Sequence, residues 1–530
     1  MRSTFLLSLV FVAALSRLIM QAIAMPPYAG LDEAYHVARV WFVSHEGRNP
    51  SRSEPSIPGY LERSIAADDS APWSFAALGA RWPEAVARRQ GPWPDPSIED
   101  LGGSALGASN YQAQHPSAYY SLAGKALALV PGRRQLDELL ALRVLSAVLG
   151  SLAVLAAAMI GARYYGRAGI LAGALLGSFP TWVTLVGRAT NDALAVSAVS
   201  LAIALSTKRR LGPVAIVAEA LLWSLAVASK ATTWPLLVVI TIAAATRHWP
   251  VRRLIFVAVS AFAALTLTAI DLRSRTGSIL GDQGLTAEPV TSTSIAGSAA
   301  ISKMVKVLVS SAIWPGAQHG NALTVLGMAL FTLPLFAVLG LMALRAAKTP
   351  RELPVLLGSC AAFAAAQAIH AWGFVREAIR SGRPEPLGGF EGWYLWTLGP
   401  LVFSLLIGWS FANARRYVLL PALFLVWTMA WDLGIHEGGL FRDYAGETGP
   451  EARSLLFRWG PSGTRDGVDD RLALLSAAGL PRGYRYAFRT MNLAALAALG
   501  FFALRGPRHR VRWGPPSSRL GTGTSWSRVQ

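Results

Sequence analysis

Apolar runs of membrane-crossing length recur along the chain, and no other feature constrains its fold as tightly. The first extends from Thr4 to Ala24. Others lie at 141–162, 168–186, 190–206, 213–229, 232–246, 254–270, 321–344, 353–373, 393–411, 417–435 and 487–504. A helix that crosses the hydrocarbon core needs roughly 20 mostly apolar residues. The runs therefore predict an all-α polytopic membrane protein with about twelve transmembrane helices, several short for a straight crossing. Composition agrees: 53% of the 530 residues are hydrophobic and 15% are charged, too apolar for a soluble chain of this length. A lone cysteine, Cys360, rules out an intramolecular disulfide framework.

The net charge of +19 raises nucleic acid as a partner, and the positions of the charges argue against it. With the N-terminus inside, the cytoplasmic connections read RYYGR, STKRRLGP, TRHWPVRR, RAAKTPRE and NARRY, followed by the tail RGPRHRVRWG. All are short and basic, as the positive-inside rule requires. Membrane lipids, not nucleic acid, account for that charge. Residues 1–504 then form one transmembrane domain, and 505–530 a basic, disordered cytoplasmic tail. Arg17, deep in the first run, needs an internal partner and favours a retained helix. Ala22-Ile23-Ala24 also resembles a signal-peptidase site, the alternative being a cleaved signal.

In this topology the long loops share the extracytoplasmic face. The first, 25–140, is rich in Trp and Pro, and its amphipathic pieces AYHVARVWFV and HPSAYYSLAGKALALV are expected to lie in the membrane interface. Polar complexity gathered on one face favours chemistry at the membrane surface over transport, where polar groups concentrate near the midplane.

Five clusters on that face carry candidate chemistry. In GLDEAYHVARV, Asp32, Glu33 and His36 share one helical face. Asp32 can act as a general base toward an acceptor hydroxyl, while Glu33 and His36 can orient that acceptor or hold a divalent cation. Nothing in the sequence requires a metal, and the bland reading is complementation of a helix dipole. In NYQAQHPSAYY, His115 and Tyr119 can line a sugar site or, for the tyrosine, anchor at the interface. The outer turn GRATNDALAVS offers Arg188 to an anion and Asn191 and Asp192 as polar ligands or helix caps. Lys230, in AVASKATTWP, places an outward cation at membrane depth, where an anionic lipid headgroup is its natural partner and snorkelling the plain alternative. GGFEGWYLW brings Trp393 and Tyr394 into a late span, as anchors or substrate contacts.

In order along the chain, DEAYH, HPSAYY, ALRVLSA, TNDALA and SKATTWP resemble motifs of the polytopic glycosyltransferases of the C fold, the GT-C group, which contains the protein O-mannosyltransferases and the lipid A aminoarabinose transferase. The resemblance spans residues 1–270 by motif and the remainder by layout. It implies transfer of a sugar, with inversion, from a polyprenyl-phosphate donor to an extracytoplasmic acceptor by an integral protein of the bacterial plasma membrane. It further implies Asp32 as base, Lys230 at the donor phosphate and Asp192 as a second acid of the site. Where many related members carry an Arg before a late span, this chain has Gly392-Trp393-Tyr394. Arg376, Arg380, Arg383 or Arg188 can fill that place. A lipid or solute transporter, or a non-catalytic membrane assembly factor, remains the alternative to an enzyme.

Overall fold

The computed structural model describes residues 3–24, 33–54, 111–129, 135–208, 210–245, 249–279, 365, 392–412 and 484–505. The described residues are helical, with no strand among them. In chain order the α-helices are α1 (Ser3–Ala24), α2 (Glu33–Glu46), α3 (Ala118–Leu127), α4 (Gln135–Tyr165), α5 (Arg167–Leu176), α6 (Pro180–Val186), α7 (Asn191–Ser206), α8 (Pro213–Ser229), α9 (Val238–Ala245), α10 (Val251–Thr276), α11 (Gly399–Ala412) and α12 (Tyr484–Arg505). Tight 3₁₀ turns at Tyr111–Gln114, Ala231–Leu237 and Gly392–Thr397 punctuate them.

Among the described residues, three helices are long and apolar enough to cross a membrane: Thr4–Ile23, Asp137–Tyr165 and Val251–Thr276. The expected runs at 321–344, 417–435 and all but one residue of 353–373 lie outside the described residues, as do the tail and most of the first loop. Two other runs divide for local reasons. The 168–186 run breaks between α5 and α6, where Pro180 occupies the first turn of α6 and holds Phe179 extended. In the 232–246 run, Pro235 sits inside the Ala231–Leu237 turn, and the chain winds as 3₁₀ before α9 begins.

Apolar residues pack the bundle in three clusters. The first joins α1, α4, α5, α6, α7, α11 and α12, with Phe179, Trp182, Trp396 and Phe403 in mutual aromatic contact. A second joins α4, α7, α8, α10, α11 and the 231–240 stretch around Trp223. The third seats α2 and α3 against α4 and α7 through Val37, Trp41, Tyr119, Tyr120 and Leu142. Trp41, Tyr119 and Tyr120 are buried, so α2 and α3 differ from the interfacial helices expected for this loop. Burying the apolar stripes of both helices against the bundle removes more surface from water than laying them in headgroups would. Along α10, by contrast, Ile255, Phe256, Val259, Phe262, Leu267 and Ile270 point outward, as a helix facing lipid requires.

Candidate functional site

Four elements meet where α2 begins: the start of α7, the end of α8, α3 and the 3₁₀ turn at Tyr111–Gln114. The turn before α7 is set by Thr190. Its backbone is extended and its hydroxyl accepts from Asp192 N at 3.2 Å, capping the helix. Thr190 therefore takes the capping role expected of Asn191 or Asp192, which leaves both of those side chains for other contacts.

Lys230 follows the last turn of α8 in an extended conformation. Thr233 stabilises the break, its hydroxyl donating to the carbonyls of Lys230 at 2.7 Å and Ala226 at 3.0 Å. Across the gap Lys230 Nζ donates to Asp192 Oδ1. Arg188 Nη2 lies 3.9 Å from Asp192 Oδ2, which also accepts from Thr190 Oγ1 at 3.1 Å. Asn191 Nδ2 donates to Ser229 O at 3.3 Å and ties α7 to α8 beside the lysine. Two buried cations thus face one carboxylate. Arg188 Nε and Asn191 Oδ1 have no hydrogen-bond partner among the described residues. Such atoms normally find a protein group, a water or a ligand.

His36 and His115 lie near these charges, their ring centroids 6.0 Å apart. Burial, followed by the positive charges of neighbours that include Arg188, Lys230 and Arg39, holds His36 well below its ordinary range. His115 is lowered to about 3, again by burial first and then by Lys230 and Arg39. Both rings are neutral at pH 7 and serve as hydrogen-bonding groups.

Glu33, expected as a catalytic carboxylate, is placed differently. It forms a bidentate pair with Arg143 at 2.8 and 2.7 Å, both side chains fully buried, and accepts from Ala189 N at 2.9 Å. Arg143 also donates to Ala22 O at 3.0 Å. One ion pair thereby joins the end of α1, the start of α2, α4 and the turn before α7. With both oxygens committed, Glu33 is poorly placed to take a proton or ligate a metal. Among the described residues, no three His, Cys, Asp or Glu gather as a metal site.

Tyr119, expected to touch a sugar or anchor at headgroups, is fully buried and packs edge-on to Tyr120 at 5.4 Å. Burial pushes its phenol above the ordinary range. Asp32 lies outside the described residues, one position before α2. Trp393 and Tyr394 belong to the Gly392–Thr397 turn, whose backbone packs near α7 and the Ala231–Leu237 turn. The candidate arginines at 376, 380 and 383 lie outside the described residues.

Sequence reasoning passed over Arg39, whereas Tyr120, like Tyr119, is expected as an interface anchor or a sugar-site aromatic. Arg39 lies over the Tyr120 ring, its guanidinium carbon 3.7 Å from the centroid, and donates to His115 O at 2.9 Å and Asn49 Oδ1 at 2.8 Å. Its spacing was a usable signal: Arg39 follows His36 by three residues, on the same helical face.

A family model described as "Predicted membrane protein (DUF2142)" matches residues 15–314. No curated protein matches the chain. Among solved structures, ArnT from Cupriavidus metallidurans, crystallised bound to undecaprenyl phosphate, is similar over 93% of this chain and 74% of its own, at 15% identity and a TM-score of 0.40.

Proposed function

The chain belongs to the DUF2142 family of predicted membrane proteins, and from that premise we propose that it is a membrane glycosyltransferase moving a sugar from a polyprenyl-phosphate donor to an acceptor on the extracytoplasmic face. The observation that carries this reading is the buried set of Arg188, Asp192 and Lys230, two cations on one carboxylate beside two neutral histidines. Burying a surplus cation is costly unless something compensates it. A phosphate entering from the bilayer supplies that charge, and the same cations then stabilise it as it leaves the sugar.

In this mechanism Asp32 takes the proton of the acceptor hydroxyl as the oxygen attacks the anomeric carbon. The bond to the lipid phosphate breaks, and Lys230 and Arg188 hold the departing phosphate. Glu33 is assigned to position the start of α2, and with it Asp32. Asn191 fixes the segment that carries Lys230. The Gly392–Thr397 turn, which packs near α7 and the Ala231–Leu237 turn, carries Trp393 and Tyr394, assigned here to the donor. Residues 1–504 act as one catalytic membrane domain in the bacterial plasma membrane, with 505–530 as a basic cytoplasmic tail.

The purified protein, incubated with a panel of polyprenyl-phosphate sugars and candidate acceptors with and without a divalent-cation chelator, tests the reading. Sugar release dependent on Lys230 supports it. Lipid movement across vesicles without sugar release supports a transporter instead.

A further inference from the structure

Resting on that reading, we infer that Asp192 is a resident counter-anion of the phosphate site: it holds Lys230, and it makes the site favour a phosphodiester, with one negative charge, over the phosphomonoester that transfer releases. Both oxygens of Asp192 are engaged. Oδ1 accepts from Lys230 Nζ, and Oδ2 accepts from Thr190 Oγ1 at 3.1 Å, with Arg188 Nη2 3.9 Å away. Thr190 Oγ1 in turn accepts from Asp192 N at 3.2 Å. This loop of bonds at the start of α7 fixes the carboxylate without help from Lys230. The carboxylate therefore stays in place when a phosphate draws the lysine toward itself.

The three charged side chains are within reach of a ligand. Arg188, Asp192 and Lys230 keep 5%, 8% and 6% of their surface accessible, whereas Glu33 and Arg143 keep none. Arg188 Nε has no hydrogen-bond partner among the described residues. A compact anion that bridges this guanidinium and the lysine must lie beside the carboxylate that both cations face.

Charge then decides which phosphate fits. Arg188 and Lys230 answer Asp192 and one further negative charge, one for one. Neighbouring cations are committed elsewhere: Arg143 to Glu33, Arg275 to Asp271, and Arg39 to the carbonyls of Gln112 and His115 and to Asn49. His36 and His115 are neutral. A sugar phosphodiester brings the single charge. In transfer the bond between the anomeric carbon and the phosphate oxygen breaks, the oxygen keeps the bonding pair, and the proton of the acceptor goes to Asp32. The lipid phosphate is then a monoester, which carries close to two negative charges above pH 7. Its second charge develops beside Asp192 with neither cation left to answer it, and like charges in a shielded site repel strongly. Asp192 in this way favours release of the product.

The test uses the full chain in neutral phosphatidylcholine bilayers at about pH 8, where a phosphomonoester is dianionic. Its probes are a polyprenyl phosphate and the methyl phosphodiester of the same lipid. Wild-type protein is expected to bind the diester about tenfold or more tightly than the monoester. Asp192→Asn keeps the shape of the side chain and leaves the Asn191–Ser229 tie between α7 and α8 in place. In that variant the monoester is expected to bind about tenfold tighter than in wild type, and the preference to vanish. Equal binding of the two lipids by wild type, binding of neither, or weaker monoester binding by Asp192→Asn overturns the inference. The wild-type comparison decides even where the variant fails to fold. If the wild-type protein prefers the diester yet transfers no sugar, the transferase reading fails and the charge selection stands. Where sugar is transferred, polyprenyl phosphate is expected to inhibit Asp192→Asn about tenfold more strongly than wild type; unchanged inhibition contradicts the role in release.

Discussion

Glu33 and Arg143 share no exposed surface, and their pairing accounts for two acidic and basic residues in otherwise apolar surroundings. Removing one partner strands the other's charge. Glu33→Gln is therefore expected to destabilise the folded protein by about 3–5 kcal/mol, visible as a lower thermal midpoint and yield in lipid. An unchanged thermal midpoint for Glu33→Gln would contradict this structural role. Lys230 should behave in the opposite way. Lys230→Met removes a cation from the proposed phosphate site and is expected to reduce transfer by about 10²–10³-fold; donor competition and kcat measurements check it. His36 and His115 make acid response a third test at this scale. Unfolded, an imidazole titrates near 6.5, whereas the folded chain keeps His36 neutral well below that and His115 to about 3. Between those values the unfolded chain binds more protons, so their contribution is level above about pH 6.5 and stability falls as pH drops toward 3. Well below pH 6.5 the slope approaches about 1.4 kcal/mol per pH unit for each ring that stays neutral in the folded chain. Thermal unfolding in lipid from pH 7.5 to 4.5 measures it.

Among elements, the α4–α5 hairpin depends on the closest approach of two backbones. A Cβ at Gly169 would lie 1.9 Å from Gly161 O, and one at Gly161 would lie 2.6 Å from Gly169 O. The connecting Gly166 has φ of 59°, open to glycine at little cost. Small residues at such crossings let helices pack closely in membranes. Gly169→Val is expected to force the hairpin apart and lower stability by about 1–3 kcal/mol, measured by thermal unfolding; an unchanged midpoint would contradict this packing. Element positions were legible in the chain because a crossing helix must be apolar along its length. Pro213 opens α8 and the apolar run from 213 to 229 gives both of its bounds. What lay hidden was how α2 and α3 are used. Their stripes read as interfacial because amphipathicity reports that a face is apolar and not which surface covers it; Trp41 and Tyr120 show the cover to be protein. Glu33 and Arg143 stand 110 positions apart, so their pairing left no trace in local spacing. Asp192 and Lys230 could be placed on one face by topology, although the direct contact between them could not be read there.

Across the whole molecule, the polar groups of the site sit where α1 ends, α7 begins and α8 ends, and an apolar bundle holds those ends in register. Under the proposed function, the bilayer would deliver the lipid-borne donor, the outer face would admit the acceptor, and the buried cations would mark where the two meet. On this account Asp32 is the base and the folded bundle does not need its charge. The most direct measurement is sugar transfer by purified Asp32→Asn protein, reconstituted in lipid with the polyprenyl-phosphate sugar that the wild-type protein uses. We expect an unchanged thermal midpoint with transfer reduced to background. Transfer at the wild-type rate by a normally folded Asp32→Asn protein would contradict the account.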